Sequence, residues 1–203
     1  MSGTKQRILD VSLELFSQSG FSAVSIRDIC RQVQIKESTI YYYFKNKQAI
    51  FDELLCLFEK KASDMMCQLD TVLAEQTFSA GKNFYQTVCD TFFEQYLMDS
   101  FCNKVMRLLL IEQFSNNTIQ EVYDRWMFAE PLSFQSKVFS ALMQTGVIQN
   151  ANSEYLAVKY YAPLYFFAQR WLFSGTLSEE RKNAFRKSAY QHIQSFFTEI
   201  GVA

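Results

Sequence analysis

The stretch IKESTIYYYFKNKQAIF, residues 35–51, sets three consecutive tyrosines and a phenylalanine among Lys36, Lys45 and Lys47. Phenol hydroxyls and ammonium groups donate well to phosphate oxygens, and hydroxyls, amides and guanidinium groups can also meet base edges. On a helical wheel at about 100° per residue, Ile40 and Phe44 coincide and must face inward. Ser38 and Tyr42 fall opposite, flanked by Thr39 and Tyr41, with Tyr43 near the edge. The tyrosines therefore fan around the exposed side of a short helix. Arg27, upstream of this segment, can reach the same side, and arginine is the usual partner of guanine. The N–H groups beside Ser25 can hold a phosphate.

These side chains need a scaffold. Residues 4–19 read as a first helix, with Ile8, Ser12, Leu15 and Phe16 on one face and Gly20 closing it. Ser25 with Asp28 three residues later forms a capping box, with Asp in place of the usual Glu or Gln. A second short helix follows, its inner face carrying Ile26, Ile29, Cys30 and Val33. Ile35 marks a tight turn, and a third helix spans about 36–44. Two short helices joined by a turn, the second exposing hydroxyls between lysines, make a helix-turn-helix. A fourth helix starts near Lys47 with the stripe Ile50, Phe51, Leu54 and Phe58.

The remaining chain reads as helices near 82–99 (Tyr85, Val88, Cys89, Phe92, Tyr96), 101–114, 118–129, 132–145, 153–173 and 179–199, with Pro131 dividing the pair around it. The fold class is all-α, with about nine or ten helices. A three-helix head, residues 1–50, joins a helical ligand-binding and dimerisation bundle, residues 51–203, through the fourth helix, which would join the two rigidly.

The net charge of −1 over 203 residues hides an asymmetry. Residues 1–50 carry Lys5, Arg7, Arg27, Arg31, Lys36, Lys45 and Lys47 against Asp10, Glu14, Asp28 and Glu37, a net of +3. The rest carries 13 basic and 17 acidic side chains, a net of −4. A basic head on an acidic body suits nucleic-acid binding. No apolar run is long enough to span a membrane. The start, MSGTKQRILD, lacks a signal pattern, so a cytoplasmic location is expected. The five cysteines are scattered and read as reduced thiols. His192 is the only histidine. That scarcity argues against a zinc site and against Ser-His-Asp or Cys-His catalysis. No catalytic residue, metal or cofactor is expected, and the chain is not read as an enzyme.

The segment SIRDICRQVQIKESTIYYYFKNKQAIFDELL closely resembles the DNA-binding head of the TetR family of bacterial transcriptional regulators, and with the upstream ILDVSLELFSQSGFSAV the resemblance spans residues 5–55. The resemblance implies a two-fold dimer, one head per subunit on a palindromic operator, and a small molecule that switches DNA affinity. Carried over position by position, it gives DNA contacts at Ser25, Arg27, Lys36, Ser38, Thr39, Tyr41, Tyr42, Tyr43 and Lys47. Glu37 departs from the pattern, where a basic or neutral residue is common. It could accept a hydrogen bond from cytosine, or sit in solvent and weaken phosphate binding. Tyr43 stands where histidine is often found.

In the body, aromatic residues at helical spacing are core in the ordinary case. Their density also suits a pocket for an apolar or aromatic ligand of unknown identity. The residues named for it are Phe92, Tyr96, Gln113, Tyr123, Trp126, Tyr165 and Gln169, with Gln95 and Glu112 as further polar anchors. The segment 153–173 is apolar nearly all round, so it should meet a second subunit as well as its own core. With the last helix it would form a four-helix interface, and Phe166, Arg170, Phe173, Tyr190 and Phe197 are the contacts expected there. The leading functional reading is a ligand-responsive repressor. The alternatives are a DNA-binding regulator without a small-molecule switch and a helical carrier of hydrophobic molecules.

Overall fold

The computed structural model describes residues 3–75, 88–115 and 117–201. Among these residues all regular structure is helical. The elements are α1 (Gly3–Ser19), α2 (Ile26–Val33), α3 (Glu37–Tyr43), α4 (Lys47–Glu75), α5 (described over 88–97), α6 (Ser100–Glu112), α7 (Asn117–Asp124), α8 (Glu130–Gln144), α9 (Ser153–Ala168) and α10 (Glu179–Glu199). Residues 82–87 of the helix expected over 82–99, Tyr85 included, lie outside the described residues. No described helix is long and apolar enough to cross a membrane.

The chain divides into two compact units, residues 1–62 with 101–123, and residues 63–100 with 124–203. The expected head boundary at residue 50 falls inside α4, and α6 and most of α7 group with the head. The head core is built as the helical wheels require: Ile8, Phe16, Ile29, Ile40, Ile50 and Phe58 are fully buried. Gly20 ends α1 at φ +82°, its N–H bonding Phe16 O at 2.9 Å, a left-handed turn that glycine takes without cost. Gln34 takes the same left-handed region at φ 61° between α2 and α3, and Ile35 N–H returns to Cys30 O at 3.0 Å. That bond makes the turn tight.

In the second unit, Phe93, Phe134, Phe139 and Phe185 fill the core. Tyr160 lies edge-on to Phe139 and Phe196, ring centroids 5.8 and 5.3 Å apart. Three π-turns interrupt the helices, at Phe93–Leu97, Arg125–Ala129 and Gln169–Phe173. A π-turn shifts the backbone hydrogen-bond pattern by one residue. Two tyrosines hold the middle one: Tyr96 OH donates to Trp126 O at 3.2 Å and Tyr161 OH to Met127 O at 2.7 Å.

The expected break at Pro131 is absent. The residues from 117 to 144 form one helical run through the Arg125–Ala129 π-turn, and Pro131 sits in the first turn of α8. In a first turn the N–H that proline lacks has little work to do. The sequence rule was right about the bond and wrong about the break.

The capping box forms as expected. Ser25 Oγ accepts from Asp28 N–H at 3.2 Å, and Asp28 Oδ2 accepts from Ser25 N–H at 3.0 Å. The Ser25 hydroxyl, its backbone N–H, and the nearby Arg31 hold the Asp28 carboxyl below its ordinary value. The box is therefore complete above the ordinary carboxylate range and opens only as pH falls through the lowered value. Ser25→Ala should cost the head about 1 kcal/mol, measured by urea unfolding at neutral pH. Its effect should shrink only in strong acid, where Asp28 is protonated in both proteins.

Candidate nucleic-acid interface

The face opposite Ile40 and Phe44 is open. Tyr41 and Tyr42 are 52% and 83% exposed. Ser38, Glu37 and Lys36 are also exposed or half-exposed, while Thr39 and Tyr43 are half-buried. Tyr43 sets its ring edge-on to Tyr42, centroids 5.0 Å apart, which stiffens the pair. Lys36 is the N-cap residue of α3 and makes no side-chain cap bond. Phe44 closes the helix, its N–H on Ile40 O at 2.9 Å.

Most of the head's positive charge is already engaged. Lys5 pairs with Glu53 at 2.6 Å and lies over the Phe44 ring. Arg7 donates to Val33 O at 2.7 Å, satisfying a carbonyl at the end of α2. Arg31 lies 3.4 Å from Asp28. Lys36 and Lys45 remain unpaired among the described residues, and they flank the tyrosines on either side of α3. The net +3 is therefore a poor guide to the field, and the position of these two lysines a better one.

Arg27 and Glu37 meet across the turn, Nε donating to Oε1 at 3.0 Å. Arg27 thus stands over the front of α3, held by the residue that departs from the family pattern. One oxygen of Glu37 is occupied, so in this state Glu37 is a bracket for Arg27. The Ser25 hydroxyl is turned into the capping box, on Asp28 Oδ2 at 2.5 Å.

Lys47 differs from its expected role. Its ammonium donates to Phe21 O and Val24 O, both at 2.7 Å, and lies 4.2 Å from the centre of the Phe21 ring. Burial pulls its pKa below the ordinary lysine value, with Glu112 acting the other way. A cation tied to two carbonyls braces the loop before α2. Arg7 and Lys47 act alike as struts, and sequence spacing gave no sign of either.

The residues named for a ligand scatter. Phe92 lines a cavity of about 20 Å³ together with Met66, Leu69, Val88, Phe134 and Tyr160, room for roughly one water. Tyr96 is turned to the Trp126 carbonyl, and Trp126 lines a surface groove beside Asp70 and Cys67. Tyr165 bonds Gln169 at 2.5 Å and packs on Phe128. Gln113 bonds Leu110 O, and it and the buried Tyr123 belong to the unit that holds the head. The polar side chain that sequence reasoning missed is Gln135, which lines the cavity and has no bonding partner among the described residues. Cys89 lines it too, its thiol pushed up to about 12 by burial.

Of the residues expected at a subunit interface, Phe166 is exposed and Arg170 stands at the surface. Phe173 and Phe197 are buried within their own unit, and Tyr190 is turned to Asp90 at 2.8 Å. The all-round apolar pattern of 153–173 resolves into one side packed inside and a narrow outward stripe. That stripe is Tyr155, Val158, Ala162 and Phe166, with Tyr155 65% and Phe166 57% exposed. Spacing alone does not separate Tyr155 and Val158 from the buried side.

Residues 8–54 match the model for bacterial regulatory proteins of the tetR family. The chain is 28% identical over 129 residues to the HTH-type transcriptional regulator AcrR of Shigella flexneri, 60% of each chain. Over 56 residues it is 34% identical to IcaR of Staphylococcus aureus (strain Newman), the negative transcriptional regulator of the biofilm operon icaADBC, covering 27% of this chain and 30% of that one. It therefore spans three fifths or less of the length of these two relatives. A TetR-family regulator structure from Mesorhizobium loti MAFF303099 superposes with a TM-score of 0.67 at 19% identity, covering 96% of this chain and 95% of that one. These relatives are named as transcriptional regulators and not as enzymes. The similarity to the tetR family model thus lies in residues 8–54, and the fold of the chain is that of a solved TetR-family regulator structure.

Proposed function

We propose that the protein is a DNA-binding repressor that reads a palindromic duplex as a homodimer. The observation that carries this reading is the open face of α3, with Tyr41 and Tyr42 exposed between the unpaired Lys36 and Lys45 and Arg27 braced at its front. Hydroxyls and lysines take phosphates, and Arg27 with the front of α3 takes base edges. A two-fold dimer puts one α3 in each major-groove half-site, about 34–36 Å apart. The kinship with a negative regulator supports repression. The outward stripe on α9 supports the dimer, because an apolar row of that kind is ordinarily covered.

An effector would have to open the body. The cavity is apolar apart from Gln135, Cys89 and the tyrosine hydroxyls, so a planar apolar molecule with one hydrogen-bonding group suits it. At about 20 Å³ among the described residues, the cavity is too small for such a molecule in this state. That small size favours a second reading, regulation without a small-molecule switch.

Arg27→Ala should relax base preference and cost about 1–3 kcal/mol on the preferred duplex. Lys36→Ala and Lys45→Ala should instead weaken every duplex about equally and lower the salt slope by roughly 1. Fluorescence anisotropy at several salt concentrations separates the two behaviours, and equal behaviour of Arg27→Ala and Lys36→Ala contradicts the assigned roles.

Phe166→Glu puts a charge on the outward stripe and should convert the dimer to a folded monomer by light scattering. A parent that is monomeric at micromolar concentration removes the dimer reading.

Phe92→Ala should enlarge the cavity enough to bind indole or N-phenyl-1-naphthylamine, seen as a thermal shift. If neither compound weakens DNA binding by the parent or the variant, the switchless reading replaces the effector-responsive one.

A further inference from the structure

The end of α6 carries a buried carboxylate that serves no ion pair among the described residues. Glu112 is 7% exposed. Its Oε1 accepts from Phe21 N–H at 2.8 Å, across 91 residues, and its Oε2 accepts from Ser115 Oγ at 2.9 Å. Ser115 Oγ also reaches the Glu112 carbonyl at 2.6 Å, so the carboxylate is aimed by its own turn. Phe21 follows Gly20 beyond the end of α1, and its N–H is taken by Glu112. A β-carbon on Gly20 would lie 2.8 Å from Glu112 Oε1 and 3.2 Å from the Ile111 side chain. Only glycine lets α6 approach this closely.

The opposite side of the same loop is held by Lys47, which takes Phe21 O and Val24 O. The Phe21 ring closes the assembly against Phe16 and Phe51, centroids 5.4 and 5.0 Å away. Lys104, two turns before Glu112, pairs with Glu14 on α1 at 2.6 Å. Thus α6 meets the second half of α1 at Lys104–Glu14 and reaches the loop of residues 20–24 at its own end. The next residue is Ser25, the N-cap of α2, and Arg27 lies two beyond.

We infer that Glu112 is a positioning residue for DNA reading: from α6 it clamps the α1–α2 loop and so fixes α2, Arg27 and α3 as one surface for the duplex. The inference rests on the DNA-binding reading above and extends it to a residue far from the interface. A charge-assisted bond to a part-buried backbone N–H is among the stronger of its kind. Losing it leaves that N–H unpaired among aromatic rings. Gln retains an oxygen acceptor at the same place and Ala does not.

The test compares the parent with Glu112→Ala, Glu112→Gln, Gly20→Ala and Lys104→Met, each confirmed helical by circular dichroism. Affinity is measured by anisotropy for a duplex from the region upstream of the gene and for a random duplex. Amide exchange is followed on peptides covering 17–25 and on α3. Glu112→Ala should lose at least tenfold on the upstream duplex and less than twofold on random duplex, and exchange in 17–25 should accelerate. Gly20→Ala should behave likewise, because its new β-carbon displaces the carboxylate. Glu112→Gln should stay within threefold of the parent, and Lys104→Met, which breaks only an exposed pair, within twofold.

The clamp is overturned if Glu112→Ala matches the parent in affinity and exchange, if it weakens both duplexes equally, or if Glu112→Gln fails as badly as Glu112→Ala. A parent that does not distinguish the two duplexes sinks the DNA-reading proposal instead. The clamp is then judged by exchange alone: faster exchange in 17–25 of Glu112→Ala sustains it, and unchanged exchange overturns it.

Discussion

The head depends on how a short loop, residues 20–24, satisfies its backbone polar groups. Its Phe21 ring packs edge-on against Phe16 and Phe51, while Ser22 and Ala23 stand exposed. The Glu112 carboxylate takes the Phe21 N–H, and the Lys47 ammonium takes the Phe21 and Val24 carbonyls. Each such group left unpaired would cost about 1–3 kcal/mol. An anion from α6 and a cation from α4 therefore hold the loop from two sides. The bare α-carbon of Gly20 makes room for the anion. The loop leads into the capping box of α2, then the turn at Gln34, then α3. An error in the loop would propagate to the exposed face of α3.

The same economy governs the head's charge. Five of the seven cations in residues 1–50 are engaged: Lys5 on Glu53, Arg7 on Val33 O, Arg27 on Glu37, Arg31 on Asp28, and Lys47 on the loop. The free positive charge is thereby confined to Lys36 and Lys45, on the side where the tyrosines open outward. A small net charge can still give a directed field when its carriers sit beside the contact face. The second unit is organised differently. Its π-turn at 125–129 is held by two tyrosine hydroxyls, and its core closes to a cavity of about 20 Å³. Any effector must displace packed rings to enter.

Much of this was legible in the residues, and the failures have physical reasons. Ile40 and Phe44 named the inward side of α3, and Ser25 with Asp28 named the start of α2, because both signals are local and periodic. Arg7, Lys47 and Glu112 were not legible as struts, since each bonds backbone atoms that spacing does not reveal. Glu112, expected as a ligand anchor, grips a loop 91 residues upstream. Tyr96 and Tyr165 have the pattern of pocket rings, yet their hydroxyls are used within the unit. Gln135 was not legible because a single polar residue on an amphipathic helix reads as surface. Phe173 and Phe197 pointed to a partner because an apolar pattern cannot say which of two apolar surroundings it faces.

The central claim is that the exposed side of α3 meets the duplex. It is tested most directly by ¹⁹F NMR of protein labelled with 3-fluorotyrosine, its resonances assigned by single Tyr→Phe variants and followed as the upstream duplex is added. Tyr41 and Tyr42 should shift or broaden before the duplex reaches one equivalent, while the buried Tyr160 and Tyr161 stay in place. If Tyr41 and Tyr42 do not move while the protein binds that duplex, α3 is not the reading face.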